Sequence, residues 1–391
     1  MLAGAAALGA YEAGVLSYLA NEVRRDVPLA MPEVVSGTSA GAINAMALAA
    51  YADDPAAGVR LLVRAWTELR LGQFVRPSSI ELLSMFLDVA GAPLRLRRAL
   101  HAHSIRGGLL DPKPIAQLVD RIPLRRIDDH LASGRLRGVV VMATSVSNGA
   151  AAIFHQTASP VRPWLEANVL PIATPIMPVH VVASAAIPLL FPTVEIDGNK
   201  YCDGGLRQMV PLSPAIHLGA DRLLVISPLP VVSTSTPEAG SILVTSPWYL
   251  AGKVLNALFA DRVEMDLARL RHTTAILRAG THRFGPSFEH EINLELAGGA
   301  ELRAIDALSI EPSEDLGALA AAHVKSPAFA SSAPGLAGKM LRRIADGDPA
   351  RVGDLLAYLL FDGSFTSLLI EKGRADARAR HDQLCALFDR S

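Results

Sequence analysis

Apolar positions along the chain follow two patterns, short continuous runs and longer segments with helical spacing. The short runs predict buried strands at 34–35, 138–144, 151–155, 223–227 and 305–310. The longer segments predict helices at 61–71 and 248–279, and the alanine-rich sequence from 315 onward predicts more helices, ending in a charged amphipathic one at 374–387. Continuous apolar strands between helices indicate an α/β fold with a central mixed, mostly parallel sheet and helices on both faces.

One stretch interrupts this alternation. Residues 230–247 are rich in serine, threonine and proline, a composition typical of a loop or a boundary. We therefore expect an α/β core at 1–230, a loop-rich connection at 231–247, and a mainly helical extension at 248–391 that packs on the core. No internal repeat is visible.

A candidate nucleophile lies in the pattern G-T-S-A-G, which places Ser39 between Gly37 and Gly41. The β-branched pair at 34–35 predicts a strand before it, and the breaker-free segment 42–50 predicts a helix after it. A serine on a sharp strand-to-helix turn is a nucleophile elbow, in which the glycines allow the strand and the helix to approach closely. The pattern alone is weak and depends on this context.

Asp203 is the second candidate. Short strands at 193–196 and 200–202 flank an Asp-Gly-Asn turn and form a hairpin that ends at Asp203. Gly204 and Gly205 follow and let the backbone turn sharply. A serine and an aspartate suggest a nucleophile and a base that need no histidine. The alternative, that Asp203 only caps a turn, stays open from the residues alone.

The third candidate is the N-terminal run Gly4, Ala5, Ala6 and Ala7. Small residues allow consecutive backbone N–H groups to point into one concavity, which can hold an anion. The helical spacing that begins at Ala10 allows a plainer interpretation, a buried helix with small residues at a packing contact.

The order of these three features resembles that of the patatin-like phospholipases. Residues 183–192, which lead into Asp203, and residues 210–227, which follow it, are also similar to that family. The resemblance covers about the first 230 residues. It implies a patatin-like fold and a lipid acyl hydrolase (phospholipase or esterase) that cleaves carboxylic esters through an acyl-enzyme, with no metal or other cofactor.

The resemblance also implies roles for individual residues. Ser39 would be the acyl-accepting nucleophile, and Asp203 would take its proton and later activate water. The motif glycines would be Gly37, Gly41, Gly204 and Gly205. The oxyanion hole would be formed by Gly4, Ala5, Ala6 and Ala7.

Three departures from the family pattern bear on catalytic strength. The family usually has consecutive glycines where this chain has three alanines after Gly4, and alanine resists positive φ. The family commonly has a basic residue where Leu8 stands. Only Met1, Leu2 and Ala3 are available for the first strand, so we expect a frayed loop and a gene product that carries more residues ahead of Met1.

Two alternatives remain. An α/β-hydrolase esterase would use Ser39 and Asp203 with a downstream histidine, although its elbow is expected after several strands. The candidates are His217, His272, His282, His290, His323 and His381. A catalytically weak lipid-binding or scaffold member of the family is the other alternative, favoured by the alanine-substituted loop.

Composition narrows the class of partner. The 391 residues carry a net charge of −1 with a pI near 6.8, which argues against nucleic-acid binding. They are 50% hydrophobic with a mean hydropathy of +0.30. Two cysteines suggest neither a disulfide framework nor a metal site.

The partner that we expect is a lipid or ester substrate, and the oligomeric state is not predicted. The apolar runs are too short to span a bilayer and the first twenty residues lack the features of a signal peptide, so we expect a cytoplasmic or peripheral membrane protein.

The segment 80–100 combines an apolar patch with a basic cluster. We favour a helical hairpin packed on the core, and the alternative is a lid on an anionic membrane.

Overall fold

The computed structural model describes residues 1–28, 31–74, 108, 110–161, 164, 168–188, 190–207, 212–229, 261–296, 302–333, 335–345 and 349–389. Three predicted features lie outside these residues, wholly or in part. They are the loop at 230–247, the apolar and basic segment at 80–100, and the first part of the helix predicted at 248–279.

A mixed β-sheet passes through the described part of the chain. Its strands are β1 (Val34–Thr38), β2 (Gly138–Ser145), β3 (Ala151–Thr157), β4 (Val169–Ala173), β5 (Val194–Ile196), β6 (Asn199–Asp203), β7 (Arg222–Ile226) and β8 (Asp306–Ile310). The β1/β2, β3/β4 and β7/β8 pairs are parallel, whereas β2/β3, β2/β6 and β5/β6 are antiparallel. The predicted hairpin at 193–203 is thereby confirmed, and the strands predicted at 138–144 and 151–155 pair with each other as β2 and β3.

The N-terminal residues connect the six-stranded part of this sheet, β1 to β6, to the strand pair β7/β8. Leu2 forms parallel bridges with Gly37 of β1 and with Ile226 of β7. Its N–H donates to the Ser36 carbonyl at 3.0 Å, and the N–H of Ala3 donates to the Ile226 carbonyl at 3.1 Å. The fraying expected for so short a strand is therefore not observed, because neighbouring strands hold this segment on both sides.

Helices flank the sheet, as the sequence predicts. They are α1 (Gly9–Tyr18), α2 (Arg24–Asp26), α3 (Ala40–Ala50), α4 (Pro55–Glu68), α5 (Leu71–Phe74), α6 (Lys113–Asp120), α7 (Arg126–Ala132), α8 (Pro178–Ser184), α9 (Leu212–His217), α10 (Asp261–Phe284), α11 (Phe288–Glu295), α12 (Leu316–Val324), α13 (Pro327–Ser332), α14 (Leu336–Ala345), α15 (Pro349–Leu359), α16 (Gly363–Ala379) and α17 (His381–Phe388). Short 3₁₀ turns cover Ala6–Leu8 and Gly204–Leu206, and a π-helical turn covers Leu19–Val23.

The centre of the sheet is apolar on both faces. All eight residues of β2 are buried, and so is every residue of α3 behind it. Burial on both faces explains why the sequence of β2 is a continuous apolar run without alternation. At the edge, β4 has three exposed positions in five.

The C-terminal helices pack on this core, and the closest contact joins α1 to α16. A Cβ at Gly14 would lie 2.1 Å from the Ile370 carbonyl oxygen, and one at Gly373 would lie 2.1 Å from the Tyr11 carbonyl oxygen. The Tyr11 hydroxyl also donates to Oδ2 of Asp376 at 2.9 Å. The two helices therefore meet backbone to backbone, which only glycine at both positions allows.

Two predicted helices have different bounds. The helix predicted at 61–71 begins at Pro55, where the Asp54 side chain caps it by accepting from the Ala57 N–H. The single helix predicted at 374–387 is wrong, because the chain breaks at Arg380 between α16 and α17. The break lets α17 bury Leu384 while α16 stays packed on α1.

No single helix among the described residues has the length and apolar character needed to cross a bilayer. One pair of segments, Gly353–Leu359 and Gly363–Ala379, passes that test together but is bent by 103°.

Candidate active site

Ser39 lies on a strained turn between β1 and α3. Its φ of 55° and ψ of −128° are rare for a residue with a side chain, and α3 begins at Ala40 immediately after it. Added Cβ atoms at Gly37 and Gly41 would lie 2.3 Å from the Gly41 carbonyl oxygen and 2.4 Å from the Leu2 carbonyl oxygen, respectively. The motif glycines thus permit the close backbone contacts that set the position of Ser39.

Ser184, at the end of α8, holds this turn from the other side. Its hydroxyl accepts from the Ser39 backbone N–H at 2.8 Å and donates to the Met142 carbonyl at 2.5 Å. Ser184 is fully buried. Sequence reasoning missed this role, although the residue lies in the stretch that resembles the family ahead of Asp203.

Asp203 ends β6 and is also fully buried. The Gly205 N–H donates to its Oδ1 at 2.7 Å, whereas its Oδ2 has no hydrogen bond within the described part of the chain. Backbone contacts fix the residue, because its N–H donates to the Ala186 carbonyl at 2.9 Å and its carbonyl accepts from the Thr144 hydroxyl at 2.8 Å.

The electrostatic state of Asp203 follows from its burial. Loss of hydration disfavours the carboxylate and raises the pKa of Asp203 to about 7. The neighbouring Ser39 hydroxyl and the Gly205 N–H act in the opposite direction, since both stabilise the charged form. The carboxyl group is therefore poised to gain or lose a proton near neutral pH.

The N-terminal loop contacts the same serine. A Cβ at Gly4 would lie 2.2 Å from the Cβ of Ser39, so the loop passes directly beside it. Ala6 adopts a φ of 52°, in the left-handed region that alanine resists. Within the described residues, the N–H groups of Gly4, Ala5, Ala6 and Ala7 find no acceptor. The loop therefore offers buried, unpaired donors next to Ser39.

A buried polar network connects this loop to the helix behind Ser39. Nδ2 of Asn44 in α3 donates to Oε2 of Glu12 and to the Gly9 carbonyl, both at 2.8 Å, and the Trp66 indole N–H donates to Oδ1 of Asn44 at 2.9 Å. Burial raises the pKa of Glu12 well above its usual value. Sequence reasoning missed these three side chains, because nothing local marks residues that meet only in the fold.

The histidines of the predicted triad have other surroundings. His217 stacks on Trp164 with ring centroids 4.1 Å apart. Nε2 of His323 forms a hydrogen bond with the Ser364 hydroxyl, and Nε2 of His381 lies 2.9 Å from Oδ2 of Asp26. The other three, His272, His282 and His290, are exposed, unlike Ser39 and Asp203.

A family model of patatin-like phospholipases matches residues 1–216, which is more than half of the chain. This chain belongs to the patatin-like phospholipase family. The matched residues include the loop at Gly4, the turn at Ser39 and the hairpin that ends at Asp203.

Among solved structures, the chain is similar to the crystal structure of VipD from Legionella pneumophila, with a TM-score of 0.30 and 13% sequence identity. The likeness covers 95% of this patatin-like chain and 66% of the VipD chain, so this chain spans about two thirds of the length of that structure. No curated protein matches the sequence.

Proposed function

We propose that this protein is a lipid acyl hydrolase that cleaves carboxylic esters through a dyad of Ser39 and Asp203 and an acyl-enzyme. The observation that carries the proposal is the pairing of a serine in a strained elbow with a buried carboxyl group whose pKa is raised to about 7. A base with such a pKa can accept a proton at neutral pH and return it in the next step.

In the proposed first half-reaction, Oγ of Ser39 attacks the ester carbonyl carbon while Asp203 takes the hydroxyl proton. The vacant Oδ2 of Asp203 is the natural acceptor, since Oδ1 already holds the Gly205 N–H. The tetrahedral intermediate collapses when the alcohol leaves with the proton from Asp203, and the acyl group stays on Ser39.

In the second half-reaction, Asp203 takes a proton from water and the resulting hydroxide attacks the acyl carbon. Collapse returns the proton to Ser39 and releases the fatty acid. In both halves the negative oxygen would face the unpaired N–H groups of the loop at Gly4, Ala5, Ala6 and Ala7. Losing one donor of this kind costs about a hundredfold or more in rate.

A fluorophosphonate probe tests the nucleophile, because it labels only an activated serine. Labelling should disappear in Ser39→Ala, and labelling and ester turnover should both fall by at least about a hundredfold in Asp203→Asn. Ser36→Ala is the matched control for the first, since Ser36 is buried in β1, three residues before Ser39, and its hydroxyl has no partner among the described residues. Full turnover in either Ser39→Ala or Asp203→Asn would defeat the proposal.

Asp197→Asn is the matched control for the aspartate. Asp197 lies in the turn of the same hairpin, is exposed, and has a φ of 49°, a conformation that asparagine tolerates. Its substitution should leave turnover unchanged. A panel of phospholipids, acylglycerols and short esters would then define the substrate.

The same measurements separate the alternatives. A histidine-dependent esterase predicts that substitution of one downstream histidine abolishes turnover, and the surroundings of His217, His323 and His381 speak against it. A scaffold protein predicts no labelling of the native chain at all.

A further inference from the structure

A cluster of three side chains with metal-ligand chemistry lies away from the residues of the proposed dyad, where α17 meets the end of α2. Oδ2 of Asp26 lies 2.9 Å from Nε2 of His381, and Sγ of Cys385 lies 3.5 Å from the same nitrogen. All three atoms lie within 4.8 Å of one another. A single ion placed among them could therefore contact all three.

The helix geometry prepares two of the ligands. His381 and Cys385 are four residues apart on α17, so their side chains lie on the same face. Two ligands that share a tetrahedral metal at about 2.3 Å from sulfur and about 2.0 Å from nitrogen lie about 3.5 Å apart. The separation between Cys385 and His381 already has this value.

The second nitrogen of the imidazole is held by another residue. Nδ1 of His381 lies 3.1 Å from the Tyr18 hydroxyl, and the two rings meet edge to face with centroids 5.9 Å apart. Metal-binding histidines usually engage their other nitrogen in this way, which fixes the ring and directs the free nitrogen at the ion. Tyr18 therefore orients Nε2 toward Asp26 and Cys385.

We propose that Asp26, His381 and Cys385 bind a divalent transition metal, with Zn²⁺ as the best match. A mixed set of thiolate, imidazole and carboxylate suits Zn²⁺, whereas Ca²⁺ and Mg²⁺ prefer oxygen ligands alone. Binding converts the Cys385 thiol to a thiolate and releases its proton to solvent, so the two anionic ligands balance the charge of the ion. Water fills the fourth position, which the half-exposed side chains leave open.

The ion would fasten the last helix of the chain to the N-terminal part of the fold. Asp26 is the last residue of α2, which comes after the loop at Gly4 and helix α1 in the chain. His381 and Cys385 belong to the C-terminal extension. An ion that binds only the folded chain stabilises it by an amount that grows with the logarithm of the ion concentration once this concentration exceeds the dissociation constant. The site contains neither Ser39 nor Asp203, so it acts on stability and not on ester cleavage.

Co²⁺ and Zn²⁺ titration of the full chain, stripped with chelator, tests the site. We expect one ion per chain, a sulfur-to-cobalt charge-transfer band, release of about one proton from the thiol per ion, and a Zn²⁺-dependent rise in melting temperature that chelator reverses. Cys385→Ser, which barely changes the side-chain size, should abolish the charge-transfer band and weaken Zn²⁺ binding by at least about tenfold.

Cys202→Ser is the matched control, because it removes the only other thiol, which is buried in β6. It should keep the charge-transfer band and the Zn²⁺ affinity. Asp26→Asn gives a second variant with little risk to folding, since Asp26 is exposed, and it too should weaken Zn²⁺ binding. Equal Zn²⁺ affinity in Cys385→Ser and the native chain, or binding without a rise in melting temperature, would overturn the proposal.

Discussion

The contact between α1 and α16 predicts a large effect from one methyl group. In Gly373→Ala the new Cβ would lie 2.1 Å from the Tyr11 carbonyl oxygen and 3.0 Å from the Val15 nitrogen. Real Cβ atoms do not come closer than 3.0 Å, so the helices must separate by at least 3.0 − 2.1 = 0.9 Å. Both obstacles are backbone atoms, so no side chain can rotate to make room.

The cost of this displacement can be worked out from the structure. Overpacking of a tight contact costs about 1–3 kcal/mol. The Tyr11–Asp376 hydrogen bond at 2.9 Å would stretch as well, and its loss costs about 1 kcal/mol. The higher helix propensity of alanine stabilises the variant by about 1 kcal/mol and so offsets part of this cost. We expect a net loss of about 2 kcal/mol, close to a thirtyfold smaller folding constant.

Urea unfolding followed by circular dichroism measures this difference as a lower midpoint at unchanged slope. Gly72→Ala is the control, because Gly72 lies in the short helix α5 and a Cβ there meets nothing within 4 Å. We expect Gly72→Ala to be neutral or slightly stabilising. If Gly373→Ala were as stable as Gly72→Ala, the inferred backbone contact between the two helices would be wrong.

Other predictions follow from the site. Because Asp203 must be ionised to act as the proposed base and burial raises its pKa to about 7, kcat/KM should rise as pH increases through 7 and level off above it; a profile that is flat from pH 5 to 9 would contradict this. Ala6→Gly should raise the free energy of unfolding by about 1 kcal/mol, because glycine adopts the φ of 52° without strain; a lower thermal midpoint would refute it. Asn44→Ala should lower the free energy of unfolding by about 3 kcal/mol, since it removes the hydrogen bonds that Asn44 makes with the buried Trp66 indole and the buried Glu12 carboxyl. Glu12→Gln should lower the free energy of unfolding less than Asn44→Ala does, because burial raises the pKa of Glu12 and so disfavours the charged carboxylate; a loss as large as that of Asn44→Ala would contradict this.

Features with a local signature were predictable from the sequence. β2 is a continuous apolar run because both of its faces are buried, and the β5/β6 hairpin has its turn residues in place. The turn at Ser39 has a recognisable G-x-S-x-G pattern, in which Gly37 is required by a backbone contact only four residues away, at Gly41. The resemblance to a family then linked the serine to an aspartate far along the chain, which neither motif could do alone.

Features that depend on distant partners were not predictable. The Ser184 hydroxyl supports Ser39 across 145 residues, and the bond between Asn44 and Trp66 joins two helices. A serine, an asparagine or a tryptophan at these positions has no distinctive neighbours in the sequence. The break at Arg380 was missed for a similar reason, because the residues around it are good helix formers and the turn is imposed by what α17 packs against.

The position of Leu2 between β1 and β7 has a consequence for biosynthesis. The loop beside Ser39 is anchored on both sides only after residue 226 has left the ribosome, so more than half of the polypeptide must emerge before the proposed oxyanion donors can be held in place. Pairings of such long range are slow to form and leave apolar segments exposed in the meantime. A fragment that stops at residue 216, where the family match ends, would lack β7 and would leave Leu2 with a neighbouring strand on one side only.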